Sequence, residues 1–166
     1  MMDINTLNKR VWEELVYANM RVRYFGDLVR VYQERDKWIR VIVLALTSGS
    51  AATALATLGQ SSLGQWPKII LPLMATIGSL WLLLSQYSTL SRDASDLTVA
   101  WQAIAAQYET LWNDLQRPDA EVAFDRIYDE AGKLSRPGAK FPQHGKRLER
   151  SFDYSVEILT ARYSAG

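Results

Sequence analysis

Two uncharged stretches of membrane-spanning length lie almost back to back in the middle of this chain and constrain it more than any other feature. Val41 to Pro67 runs 27 residues without a charge, and after Lys68 the stretch Ile69 to Ser91 runs 23 more. At about 1.5 Å rise per residue, a helix over either stretch would cross a hydrocarbon core of about 30 Å. The pattern predicts an all-α chain built on a transmembrane hairpin, with spans at about 41–59 and 67–87. A buried central hairpin in a soluble helical bundle is the competing reading.

The two spans differ in character. Ile69 to Leu84 is dominated by large apolar residues, with Trp66 before it, Trp81 within it and Tyr87 just beyond, as an aromatic belt at both interfaces requires. The first span is richer in alanine and is broken by Thr47, Ser48, Gly49, Ser50, Thr53 and Thr57. On a helical wheel Ser50, Thr53 and Thr57 fall within about 60° of one another, with Thr47 beyond them, so one side is a hydroxyl stripe fit to line a polar path between protomers. The same residues also read as packing elements, because Ala45, Gly49, Thr53 and Thr57 form a small-residue ridge at i, i+4 spacing. A ridge that packs protomers would also build a ring.

Charge sets the orientation. Six basic residues lie between Arg21 and Arg40, whereas the connecting loop Gly59 to Trp66 has none, so both termini are expected on the cytoplasmic side. Arg35, Lys37 and Arg40, with Trp38 among them, form a membrane-edge cluster suited to anionic headgroups. The N-terminus does not read as a signal peptide, so the hairpin is expected to do its own targeting.

The flanks make three regions of the chain: an N-terminal amphipathic helix over 1–37, the hairpin over 38–91 and a C-terminal helical region over 92–166. Ile4, Leu7, Val11, Leu15, Ala18, Val22, Phe25, Val29 and Tyr32 recur at steps of three or four, and Leu97, Trp101, Ile104, Tyr108, Leu111 and Leu115 repeat that spacing until Pro118. Neither Pro nor Gly interrupts 32–41 or 84–97, so each flanking helix is expected to run into its span as a cytoplasmic stalk. Two further helices are predicted over 119–134, with Val122, Phe124, Ile127 and Tyr128 on its apolar face, and over 146–161, with Leu148, Phe152, Val156 and Leu159. A loop rich in turn formers, Ser135 to Gly145, separates them.

Enzyme chemistry finds no footing in this pattern. His144 is the single histidine and sits in the Pro/Gly loop, while Glu13, Glu14, Asp125, Asp129 and Glu130 read as solvated helix faces. There is no cysteine, no Walker spacing and no Glu-x-x-His pair, so neither cofactor nor metal is expected. The 19 basic and 18 acidic residues nearly cancel, which does not suit nucleic-acid binding.

Ala18-Asn19-Met20-Arg21-Val22-Arg23-Tyr24 on the helix entering the first span, then the paired spans, then Trp101, Tyr108, Leu111 and Trp112, resembles bacterial SLATT-type proteins, small two-span membrane effectors. The likeness covers most of the chain through the order and length of its elements. It implies an effector of bacterial conflict or antiviral systems that oligomerises and permeabilises the membrane, held inactive by a sensor or regulatory partner. A non-conducting membrane anchor or adaptor that recruits a cytosolic partner is the alternative.

Overall fold

A computed structural model describes residues 3–57 and 66–164, with side chains described outside 45–76 and 82–85. Four helices account for these residues: α1 (Ile4–Thr57), α2 (Trp66–Asn113), α3 (Ala120–Gly138) and α4 (Gly145–Ser164). The protein is all-α, and no strand occurs among the described residues. α1 is continuous over 54 residues and α2 over 48, so the backbone passes through 32–41 and 84–97 without a break. α1 opens on Asp3, whose carbonyl accepts from Thr6 and Leu7 at 3.0 Å. α2 carries Pro67 in its first turn, where the missing N–H costs no helical bond. It ends at Asn113, five residues before Pro118, through a turn closed by the Asp114 N–H on Leu111 O.

The chain divides into two compact units, 1–28 with 93–166, and 29–92. The first is a four-helix bundle of the outer parts of α1 and α2 with α3 and α4. Its contacts fix an up-down-up-down order. Trp12 meets Trp112 while Tyr17 meets Trp101, so α1 and α2 are antiparallel. Trp12 meets Tyr163 while Arg23 stacks on Tyr154, so α4 is antiparallel to α1. Arg10 lies over Phe124 and Phe25 approaches Gly138, which makes α3 parallel to α1.

The core of this bundle contains Leu7, Val11, Leu15, Ala18 and Phe25 of α1, and Leu97, Trp101, Ile104, Tyr108 and Leu111 of α2. Val16, Met20, Tyr24 and Leu28 are buried as well, because α3 and α4 cover a second side of α1. The expected seam therefore needs correction at its edges: Val22 and Val29 are half-buried and Ile4 is exposed. α3 buries Ala120, Ala123, Phe124, Ile127 and Ala131. Val122 and Tyr128, expected on its apolar face, are exposed instead.

α4 differs most from its sequence pattern. It buries Ser151, Ser155 and Leu159, whereas Phe152 is 46% exposed. Ser155 serves in a core because its hydroxyl donates to Ser151 O at 2.8 Å, one turn back, and needs no outside partner. Arg162 Nη1 and the Tyr163 hydroxyl then tie α4 to Glu109 of α2 at 2.7 and 3.1 Å. The loop before α4 is anchored by Tyr24, whose hydroxyl donates to Pro142 O and accepts from the His144 N–H at 3.4 Å.

In the second unit α1 and α2 meet through Tyr32 and Tyr87, with ring centroids 6.2 Å apart. Among the described residues no helix is long and apolar enough to cross a membrane. The uncharged stretches fall largely on 45–76 and 82–85, whose side chains lie outside the described set, and the expected turn Gly59 to Gln65 lies outside the described residues altogether.

Candidate functional site

Two places in the molecule carry chemistry, one in each unit. In the unit 29–92 the helices emerge from a charged collar into an apolar surface. Arg30 pairs with Glu34 at 3.2 Å and Arg40 with Asp36 at 2.8 Å, both at i, i+4 spacing on the surface of α1. Such exposed pairs add little stability, but they hold the cations beside the apolar segment. The Arg35 guanidinium lies over the Tyr87 ring at 6.0 Å, and Arg35, Lys37 and Arg40 are all exposed.

Beyond this collar the exposed residues turn apolar. Trp38 is 67% exposed and Leu44 64%, with Val41 and Ile42 between them at nearly half, and Trp81 on α2 is 69% exposed. Trp38, Val41, Ile42 and Leu44 sweep an arc of about 160° on the helix, so nearly half its circumference there is apolar and uncovered. Single exposed apolar side chains are ordinary on a soluble surface; a contiguous face of large ones beside a basic collar marks an interaction surface. The side chains of Ala45, Thr47, Gly49, Ser50, Thr53, Thr57 and Trp66 lie outside the described set, so the hydroxyl stripe is defined only as positions on the continuous helix α1.

In the bundle, Glu14, Tyr17, Trp101, Tyr128, Ala131, Gly132 and Ser135 enclose a cleft of about 250 Å³ between α1, α2 and α3. A second hollow of about 330 Å³, lined by Arg10, Glu13, Glu14, Phe124, Asp125 and Tyr128, shares Glu14 and Tyr128 with it. Glu14, expected on a solvated face, is half-buried here. Its carboxyl is held above the usual carboxylate range, chiefly by burial and then by Glu13, against the opposing pull of Arg10. Tyr108, fully buried beside it, has its phenol pushed well above the ordinary tyrosine value by burial and then by the Glu14 charge. The Tyr108 hydroxyl and the Trp101 indole N–H have no hydrogen-bond partner among the described residues.

Sequence spacing placed Trp101 and Tyr108 in the seam but not their polar atoms, and it missed Glu14, Tyr17 and Tyr128 as a group. Their proximity depends on α3 lying along α1, which no local pattern encodes. His144 is exposed in the loop before α4, where its carbonyl accepts from the Arg147 and Leu148 N–H groups. No cluster of His, Asp and Glu able to hold a metal ion occurs among the described residues. No protein-family model matches the chain, and neither a curated protein nor a solved structure is significantly similar to it.

Proposed function

We propose that this chain is a two-span protein of the bacterial inner membrane, with both termini cytoplasmic, that oligomerises and permeabilises the bilayer as an effector of an antiviral or abortive-infection system. The observation that carries the reading is the exposed apolar face of Trp38, Val41, Ile42 and Leu44 on α1, next to Arg35, Lys37 and Arg40 at the entry to the first uncharged stretch, with Trp81 exposed on α2 within the second. In water that face would hold large apolar area exposed at about 25 cal/mol per Å²; in a bilayer the cost disappears. The basic collar then meets anionic headgroups on the cytoplasmic side. The bundle, tied together by buried aromatic contacts, would be the handle through which a sensor or regulatory partner restrains assembly. The resemblance to SLATT-type effectors supports the same role, and the protein acts without catalysis or cofactor.

In this account Thr47, Ser50, Thr53 and Thr57 line the path or pack the protomers around it. Replacing Ser50, Thr53 and Thr57 together by Leu tests the lining role: toxicity on overexpression should disappear while membrane insertion is retained. Undiminished toxicity would remove the hydroxyls from the path.

A second reading is favoured by a different observation. The bundle exposes Val99, Val122, Phe152 and Ile158, apolar positions that a non-conducting anchor would use to recruit a cytosolic protein. That reading requires intact bilayers around the assembled protein.

A further inference from the structure

The basic residues of the bundle fall into two sets. Lys9, Arg10, Arg21, Arg23, Arg117 and Arg162 each meet a partner within it: Glu13, the Phe124 ring, Tyr17, the Tyr154 ring, Asp119 and Glu109. The side chains of Lys133, Arg136, Lys140, Lys146, Arg147 and Arg150 have no partner among the described residues, and all but the half-buried Arg147 are exposed. From Ala131 to Leu148 the sequence holds no acid. α4 opens on Lys146 and Arg147 with no acid in its first turn, the reverse of what the helix dipole favours. Like charges gathered this way repel one another, a cost that an external anion removes.

Their placement points to the kind of anion. The set occupies the end of α3, the loop and the start of α4, where the loop rests on Tyr24 and Phe25, close to the point at which α1 leaves the bundle. Arg10 and Glu14, which meet α3, and Trp12 and Arg23, which meet α4, project from roughly opposite sides of α1. The cations therefore stand on two opposed flanks of one end of the bundle. Lys140, in the loop that joins the flanks, shares a shallow hollow with Asp93 and Asp96, which offset it. A small anion or an acidic peptide would touch one flank only. Bases of a nucleic acid would find no ring to stack on, because Phe141 is the only Phe, Tyr or Trp in 131–150 and it is buried. A broad anionic surface meets both flanks at once.

We propose that this end of the bundle binds the anionic phospholipid surface of a bilayer, with Lys133 and Arg136 on one flank and Lys146, Arg147 and Arg150 on the other meeting headgroup phosphates. Basic clusters are drawn to anionic lipid within about a screening length of the surface. The site is separate from the collar of Arg35, Lys37 and Arg40, and it rests on the membrane reading only in needing a bilayer nearby. Lipid composition then decides whether the bundle is held at the surface or left free for a regulatory partner.

The chain has no cysteine, so a single fluorophore can be placed at Gln143→Cys in the loop and, as a control, at Gln116→Cys at the opposite end of the bundle. Full-length protein is reconstituted in vesicles of phosphatidylcholine, with or without phosphatidylglycerol, that carry a headgroup quencher. Phosphatidylglycerol should raise quenching at Gln143→Cys at least twofold, with no change at Gln116→Cys. The rise should vanish in about 1 M salt, where the screening length is about 3 Å. Lys133→Glu with Arg136→Glu, and Lys146→Glu with Arg150→Glu, should each remove at least half of it and the four together all of it, with the helical circular dichroism unchanged. A rise removed by one flank pair alone means a local ligand, and one abolished by equimolar duplex DNA means nucleic acid; either overturns the proposal. Retention in phosphatidylcholine vesicles after alkaline washing reports hairpin insertion separately. Protein that inserts without any lipid-dependent quenching overturns this proposal and leaves the two-span reading intact. Protein that does not insert sinks the two-span reading; flotation with phosphatidylglycerol vesicles that the fourfold variant loses would then still support the site, and its absence would overturn it.

Discussion

Replacing Ser155 by Leu separates two accounts of α4 by the sign of a stability change. From the sequence pattern, whose apolar face in α4 is Leu148, Phe152, Val156 and Leu159, a leucine at 155 lies at the edge of that face and widens it, and burying it should add about 1.5–3 kcal/mol. From the structure, Ser155 is already in the core at 4% exposure, its hydroxyl satisfied by Ser151 O, with α4 drawn in by Arg162 and Tyr163 on Glu109. A leucine there has no room, and overpacking costs about 1–3 kcal/mol. In a bundle of about 100 residues each kcal/mol moves the melting midpoint by about 4–8 °C, so Ser155→Leu should lower it by at least about 4 °C. Ser155→Ala is the control, because the Ser151 carbonyl keeps its helical bond and little is lost. Thermal unfolding of the detergent-solubilised protein by circular dichroism reads both variants. A midpoint for Ser155→Leu equal to or above wild type would refute the assignment of this face to the core.

The acidity of Glu14 gives a pH-dependent test. Its folded-state value lies above the ordinary 4.5, so burial penalises the charged form; the penalty is absent below the unfolded value and grows as pH rises through the folded one. Glu14→Gln should therefore raise the melting midpoint at pH 7 to 8, with the gain vanishing near pH 4, and a gain that is flat with pH would contradict the burial. Tyr24→Phe removes the hydroxyl that accepts from the His144 N–H and donates to Pro142 O. It should cost about 0.5–1.5 kcal/mol and speed hydrogen exchange at the His144 amide, whereas unchanged exchange would mean that Tyr24 does not anchor this loop.

Much of the helix content was legible in the apolar periodicity, although helix also runs on through residues that read as breaks: Gly26 and Gly49 in α1, Pro72 and Gly78 in α2, and Pro137 in α3, which carries helix to Gly138 where a loop was expected from Ser135. Without Pro or Gly over 32–41 and 84–97, α1 and α2 run as long continuous helices, and the steps of three and four picked out Leu7, Val11, Leu15, Leu97, Trp101 and Tyr108 as core. Periodicity reports the centre of a buried face and not its width. Val16, Met20, Tyr24 and Leu28 are buried because other helices lie against a second side of α1, which its own pattern does not state. In α4 hydropathy favoured Phe152 over Ser151 and Ser155, since it ignores that a serine bonded one turn back packs as a small neutral residue. The cleft was illegible for a similar reason: Glu14 reads as one more charge on a polar face until Tyr128 and Tyr108 are brought beside it. The switch from charged to uncharged residues after Arg40 was the most legible feature, because it lies within the single continuous helix α1.

The most direct test of the central claim is dye and ion leakage from anionic liposomes containing the purified full-length protein, with oligomeric size determined in the same detergent preparation. The account predicts leakage by a defined oligomer, lost when Ser50, Thr53 and Thr57 are replaced by Leu. Protein that inserts and assembles in the liposomes but leaves them tight would contradict permeabilisation and leave the anchor reading in its place.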